Sequence, residues 1–472
     1  MIGGLLKSSS KLALMAAAGL LVGGVSMGTA KAADLGGDCC ADLEERVADL
    51  EATTVRKGNR KVSLTLSGQV DKQIMYMGDD TKTRTVAGVD NINSSTRFIF
   101  AGNAKVTSSV TAGFEMMIEW SGSNRSDLIN QFTTLNQNWT VAGASNSGQA
   151  LANTSGDGSL SVRTANWWLE DKVLGRVTVG RVNIQGPSSI IDISGGDVGL
   201  IATSNPTLQG GGLYLSRSGG GGHYGNTLAN LTPYCYGCSR EEGIRYDTVS
   251  LGGFLFGAYW GEQDRFTVQA RYAGEFAGFQ IAAGAGFQRD NNLANQGGAL
   301  STRNDVDQQA YALSVKHIAS GIFVQANTGI TSWNVFTSTA ALGATTSGKK
   351  DGTMWQIQGG IAKNWFGPGV TALYGEYGRA EGYASGNSAA SSVAIAAGPS
   401  AGTSLTMTGA YIASDSVDYY GLGVTQKIDA AAMTLYLGWR HFDPKVTTGG
   451  AGGAVQSLSE IDTVIGGARI QF

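Results

Sequence analysis

The sequence predicts an all-β chain: a sixteen-stranded antiparallel transmembrane β-barrel with a short N-terminal helix. Three observations predict it. From residue 62 to 472 the chain breaks into sixteen segments in which apolar and polar residues alternate with period two. The connections between those segments are sorted, short alternating with long. The composition is that of a large β-protein, with 70 glycines, 6 prolines and 42% hydrophobic residues in 472. Only 15% are charged, against roughly 25% in an ordinary globular chain. The hydrophobic content is too high for disorder. A net charge of −3 gives no support to nucleic-acid binding.

Residues 1–32 read as a cleaved signal peptide. Lys7 and Lys11 form a basic start, 12–25 is an apolar run, and Ala30-Lys31-Ala32 is an A-x-A cleavage site. The apolar run is shorter than the ~20 residues a spanning helix needs. Its removal takes away three lysines and no acid, so the mature chain is more acidic. The segment 33–61 then holds the one expected helix, 41–54 (ADLEERVADLEATT), where Leu43, Val47 and Leu50 make a heptad-like stripe. It reads as a short helix packed on the main domain or as a small trimeric stalk. Arg56-Lys57-Gly58-Asn59-Arg60-Lys61 reads as a solvated linker.

The barrel domain spans 62–472. In the first strand Val62, Leu64, Leu66, Gly68 and Val70 alternate with Ser63, Thr65, Ser67, Gln69 and Asp71. The second puts Phe98, Phe100 and Ala104 on one face and Arg97, Asn103 and Lys105 on the other. In the third Phe114, Met116, Ile118 and Trp120 alternate with Glu115 and Glu119. Successive side chains of a strand point to opposite faces, so each segment has one apolar and one polar side. The expected segments are 62–77, 95–106, 110–120, 161–170, 174–183, 242–249, 253–260, 265–275, 278–287, 307–318, 321–331, 353–366, 370–378, 417–428, 431–442 and 461–472. Short links include Thr107-Ser108-Ser109, Ala319-Ser320 and Asp429-Ala430; long ones lie near 121–160, 184–241, 288–306, 332–352, 379–416 and 443–460. Tight turns at one end and long loops at the other are the layout of an outer-membrane barrel, whose sheet must close because lipid forbids an open edge. A soluble β-sandwich would share the alternation but not the sorting. A fixed short repeat, the mark of a β-rich adhesin, is absent. The uncharged stretch 382–414 is rich in Ser, Gly and Thr and reads as a loop.

In such a barrel the polar face lines water. It carries Arg97, Lys105, Arg176, Arg245, Arg271, Lys316, Lys427, Arg440 and Arg469, with Glu115 and Glu119. The long connection 184–241 holds Asp192 and Asp197 within an otherwise apolar stretch. That pattern suits a loop packed on an inner wall with its carboxylates facing water. A basic wall against an acidic loop sets a field across the channel.

Catalytic signals are weak. His223, His317 and His441 are far apart and none has metal-ligand spacing. Gly398-Pro399-Ser400-Ala401-Gly402 matches G-x-S-x-G, with Asp415 and His441 in hydrolase order, but no strand-to-helix elbow surrounds the serine. Gly220-Gly221-Gly222-His223-Tyr224-Gly225 matches a dinucleotide fingerprint by composition only. No enzyme activity, metal or cofactor is expected. Cysteines occur as Cys39-Cys40 and Cys235-Tyr236-Gly237-Cys238. In an oxidising compartment disulfides are expected: a local Cys235–Cys238 bridge, with Cys39 and Cys40 pairing locally or between neighbouring chains.

Several motifs carry a resemblance: Leu174-Gly175-Arg176-Val177-Thr178-Val179-Gly180-Arg181, Ala112-Gly113-Phe114-Glu115, Leu373-Tyr374-Gly375-Glu376-Tyr377-Gly378 and the ending Ala468-Arg469-Ile470-Gln471-Phe472. In their order they resemble the general porins of alphaproteobacteria, the rhizobial and Brucella-type family. The resemblance implies a homotrimer in the lipid of a Gram-negative outer membrane and a water-filled channel for passive diffusion of small hydrophilic solutes and ions. It implies that 184–241 folds into the lumen as the constricting loop, and that Phe472 is the signal read by the barrel-assembly machinery. A solute-selective channel on the same barrel is the alternative within the class, and a secreted adhesin the alternative outside it.

Overall fold

The computed structural model describes residues 62–131 except 123, 160–184, 191–202, 206–232 except 221, 240–290, 301–339, 345–385, and 411–472 except 451. The strands, in chain order, are β1 (Thr65–Gly78), β2 (Thr83–Asp90), β3 (Arg97–Lys105), β4 (Val110–Trp120), β5 (Leu160–Asp171), β6 (Gly175–Asn183), β7 (Tyr214–Ser216), β8 (His223–Thr227), β9 (Arg240–Asp247) and β10 (Phe254–Gly261). They continue as β11 (Arg265–Phe276), β12 (Phe279–Asp290), β13 (Ser301–His317), β14 (Ile322–Thr339), β15 (Thr345–Lys363), β16 (Thr371–Glu381), β17 (Tyr411–Ile428), β18 (Met433–Gly449), β19 (Val455–Gln456) and β20 (Ile461–Gln471).

Sixteen of these, β1, β3 to β6, β9 to β18 and β20, pair antiparallel with their neighbours and close on themselves. The seam joins β1 to β20 from Gln69↔Gln471 to Gly78↔Asp462. The chain therefore enters and leaves the barrel at the same end as the short turns. Among the described residues the one α-helix is the single turn Leu228–Leu231, and no helix is long and apolar enough to cross a membrane.

Burial is inverted relative to a water-soluble protein. On β1 the outward Val70 and Ile74 are 45% and 55% exposed, while the inward Gln69, Asp71 and Gln73 are buried. The same holds for Leu313, Leu422 and Leu437, all more than half exposed. Such a belt is stable where hydrocarbon replaces water around the barrel.

Three features differ from the sequence reading. The arm β2 turns back on the upper half of β1, from Gly78↔Thr83 to Lys72↔Asp90, so β1 meets β3 below and β2 above. Strands β13, β14, β15, β17 and β18 run 17 to 19 residues, well past the expected segments. Their outer halves leave the apolar belt, so period-two hydrophobicity fades there although the ladder continues. Finally, β7 and β8 form a separate hairpin inside the long connection between β6 and β9. The leader 1–32, the helix 41–54, Ser400 and all four cysteines lie outside the described residues.

Candidate pore constriction

The connection between β6 and β9 folds inward, and its backbone is held by wall side chains. Ser314 on β13 donates to the Ile191 carbonyl (2.6 Å), Lys316 to Ser194 O (2.5 Å) and Thr425 on β17 to Gly196 O (2.5 Å). Gln358 on β15 donates to Ala202 O (2.6 Å), and Asn91 to Leu200 O (3.0 Å). These bonds satisfy carbonyls that would otherwise be buried without partners. Apolar packing fixes the same face: Val198, Leu200, Ile201, Leu213, Leu215, Leu228 and Leu231 join Met75, Tyr374, Tyr419, Tyr436 and Phe442 in one buried core. Gly196 rests on the wall so closely that a Cβ there would lie 2.5 Å from the Ala372 methyl.

The two loop acids have different partners. Asp192 closes the loop on itself: its carboxylate accepts from the backbone N–H of Ser194 (2.9 Å) and Gly199 (2.8 Å), and from Gln325 Nε2 (3.2 Å). It remains exposed. Asp197 sits in the left-handed region, φ 59°, at the turn before a short 3-10 segment. Its Oδ2 accepts from Arg469 Nη2 (2.7 Å) and Thr434 Oγ1 (2.8 Å), with Lys427 Nζ at 3.6 Å. Burial pushes this carboxyl up, but Arg469, Lys427 and the Thr434 bond outweigh it and hold it below the usual carboxylate range.

The remaining wall charges are mostly paired. Glu119 takes Arg163 and the Ser95 hydroxyl, and Glu115 accepts from Thr164 (2.8 Å). Arg176 bonds Glu170 (Nε, 3.1 Å) and stacks on Trp168 at 4.2 Å, close to a short turn. Arg245 pairs with Asp247 (2.8 Å) and reaches the Asn183 carbonyl (3.2 Å). Arg440 pairs with Glu376 (2.9 Å) beneath the inserted loop, where it also donates to Ile201 O. Among the described residues Arg97 and Arg271 form no ion pair. Arg97 lies within electrostatic reach of Arg240, Arg469, Asp71 and Glu115; Arg271 lies within reach of Arg245 and Asp247.

Of the expected site residues, Asp197 is brought into contact with two, Arg469 and Lys427. The others are distributed around the wall. Sequence reasoning missed Glu376, whose inward position the alternation along β16 carries. It also missed Arg163, where the register shift between Met117 and Ile118 breaks the period. A buried network was not legible either: Tyr436 donates to Asp71 (2.5 Å), Gln73 to Gln209 (3.0 Å) and Gln209 to Asn91 (2.7 Å), tying the loop to the seam.

The histidines serve structure. His223 is fully buried against Tyr214 in the loop hairpin, ring centroids 4.4 Å apart. Burial lowers it to about 4, against a smaller opposing pull from Asp79. His317 bonds Ser320 in a turn. His441 bonds Asp462 (3.0 Å), whereas Asp415 accepts from Tyr383 N and Ser385. Asp415 and His441 face different register partners, Val446 and Tyr420. Among the described residues no group of three His, Cys, Asp or Glu is placed to hold a metal.

A family model described as Gram-negative porin matches residues 16–411. No curated protein matches the chain. Among solved structures, the anion-selective porin from Comamonas acidovorans is similar at 14% identity, covering 87% of this chain and 100% of that one, with a TM-score of 0.47. OmpF of Salmonella typhi, in complex with daunomycin, is similar at 13% identity over 88% and 99% of the two chains, TM-score 0.46. Outer-membrane expressed OmpT of Vibrio cholerae is similar at 12% identity over 88% and 99%, TM-score 0.45.

Proposed function

The chain belongs to the Gram-negative porin family and forms an outer-membrane channel; we propose that this channel passes small hydrophilic solutes by passive diffusion, with only weak charge preference. The pairing of the luminal charges carries this reading. Arg163 with Glu119, Arg176 with Glu170, Arg245 with Asp247, Arg440 with Glu376 and Arg469 with Asp197 each form a local ion pair. Opposite charges in contact cancel beyond a few ångströms, so the field left for a passing ion comes from charges outside these pairs, among them Arg97, Arg271, Lys316 and Asp192, and from Lys427, which shares Asp197 with Arg469. The inserted loop, clamped to β13, β15, β17, β18 and β20, narrows the lumen; the facing wall runs from β3 to β11. Proteoliposomes swelling with neutral sugars of rising size test this reading. Influx that falls smoothly with solute size supports it, and influx confined to one sugar or absent for all contradicts it.

The assembly proposed is a homotrimer joined through β1 to β5. Phe98 and Met116 are 41% and 39% exposed on that flank. Between Val70 and Ile74, at an outward position, stands Lys72, paired with Asp90 (2.8 Å) and lying 4.9 Å over Trp120. A lysine facing lipid near mid-membrane costs about 2–4 kcal/mol; an interface between copies removes that cost. The motifs named above support a narrower placement among alphaproteobacterial porins. Residues 1–32 are proposed as the cleaved leader, 33–61 as a periplasmic segment, 62–472 as the barrel domain, and Phe472 as the signal for the assembly machinery.

A further inference from the structure

We propose that the wall beneath the inserted loop holds a monovalent alkali-metal cation, coordinated by side-chain amide oxygens of β14 and β15. Four carboxamides form a block on the inner face of these two strands. Gln325 stands opposite Gln358, and Asn327 opposite Gln356, in the strand register. Neighbouring strands lie about 4.8 Å apart and same-face positions about 7 Å apart along a strand, so the four side chains share one small patch. All are buried: Gln325 at 0%, Gln358 and Gln356 at 1%, Asn327 at 5% exposure. The inserted loop roofs the block. Gln358 Nε2 donates to Ala202 O (2.6 Å) and Gln325 Nε2 to Asp192 Oδ1 (3.2 Å), while Ser314, the register partner of Gln325 on β13, donates to Ile191 O (2.6 Å). Ala312 flanks Asn327 on β13. On the other side Gly378 is the register partner of Gln356. A Cβ on Gly378 would lie 2.4 Å from Tyr419 OH, so that hydroxyl sits at the edge of the block.

The oxygens of this block are its free ends. Gln325 Oε1, Gln356 Oε1, Gln358 Oε1 and Asn327 Oδ1 are buried and have no hydrogen-bond partner among the described residues. Three of the amides cannot be turned round, because each Nε2 meets an acceptor: the Asp192 carboxylate, the Ala202 carbonyl and, for Gln356, the Glu376 carboxylate (2.5 Å). The donors at hand, Asn327 Nδ2 and Tyr419 OH, bond none of these oxygens. Buried polar atoms are normally satisfied, and a set of fixed acceptors asks for a positive guest. Donation to carboxylates polarises the amides of Gln325 and Gln356 and strengthens their oxygens. The charge balance fits one positive charge. Arg440 lies on the far side of Glu376, with Nε and Nη2 both on that carboxylate (2.9 and 3.0 Å), so this pair is neutral. Asp192 forms no ion pair among the described residues; Lys316 lies within its electrostatic reach. Neutral carbonyl-type oxygens that replace part of a hydration shell suit an alkali cation. A cation held there joins the clamps on the loop, because Gln325 and Gln358 each carry a loop bond.

The probe is thallium(I), which takes the place of potassium and scatters anomalously. Crystals of the full-length protein are soaked in thallium nitrate. The wild type should show an anomalous peak in contact with the oxygens of Gln325, Gln356 and Gln358. Asn327→Leu removes one ligand oxygen and breaks no hydrogen bond of that side chain; it should lose the peak. Asn327→Asp keeps an oxygen and adds a negative charge; it should keep the peak. In solution, amide exchange across 191–202 should slow as potassium replaces choline at constant ionic strength. That slowing should appear in the wild type and in Asn327→Asp and be lost in Asn327→Leu. Ordered water at the block with no anomalous peak overturns the proposal. So does a peak that survives undiminished in Asn327→Leu, a block that takes calcium but not thallium, or loop exchange in the wild type that ignores potassium.

Discussion

Asp197 and Arg469 meet in a direct ion pair, Oδ2 to Nη2 at 2.7 Å, joining the tip of the inserted loop to the last strand of the barrel. An acid on the loop and a base on the wall therefore do not face each other across open water here. They cancel locally, and they pin the loop beside the seam.

Asp197→Asn keeps the side-chain size and leaves Arg469 and Lys427 without their shared carboxylate. Permeability should shift toward anions. The shift should grow at low salt, because the Debye length lengthens from about 10 Å at 0.1 M to about 30 Å at 0.01 M. Reversal potentials across a salt gradient measure it. An unchanged ratio at low salt would mean that this pair does not border the ion path.

Gly196 allows the loop to lie flat on β16. Gly196→Val would drive a branched side chain into Ala372, and overpacking of this kind costs typically 1–3 kcal/mol. The loop should lift from the wall and change single-channel conductance while the barrel still inserts. Wild-type conductance in this variant would contradict the clamped-loop geometry.

His223 gives the loop hairpin a pH dependence of definite sign. Its folded value, about 4, lies below the ordinary value near 6.5. The unfolded hairpin therefore binds more protons between those pH values. Its full contribution to stability is present above pH 6.5 and is lost as pH falls toward 4. Amide protection across β7 and β8, taken relative to the intrinsic exchange rate at each pH, should fall as pH drops through that window, and His223→Gln should flatten the dependence. Equal pH dependence in both proteins would show that another group governs the hairpin.

Phe472 ends the chain on the seam. It exchanges backbone bonds with Gly68 (2.9 and 3.1 Å), and its ring covers that glycine beside Phe98 at 5.9 Å. Deleting it should lower the amount of inserted barrel, while channels that do assemble conduct normally. Insertion at wild-type level would count against a role in assembly.

The barrel was legible because lipid outside and water inside impose period-two alternation on each spanning segment, as in Leu66, Val70 and Ile74 against Gln69, Asp71 and Gln73. Legibility fell wherever that pressure stops. The outer halves of β13 to β15 lie beyond the belt, and β2 pairs with β1 on one side. The site was half legible. Parity placed Arg97, Arg245 and Arg469 inside, and the loop between β6 and β9 was the one expected to enter the lumen. Partner choice was not readable, because it depends on register between distant strands: Asp197 finds Arg469 across 272 positions and Arg440 finds Glu376 across 64.

An open, water-filled channel narrowed by a loop clamped to its wall should pass ions in large steps. Planar-bilayer recording of the purified full-length protein tests it most directly. Expected are large stepwise openings in groups of three, weak ion selectivity, and a reversal potential that moves toward anions in Asp197→Asn. A protein that inserts as a folded barrel yet passes no current, or conducts as strongly selective single steps that ignore Asp197→Asn, would contradict it.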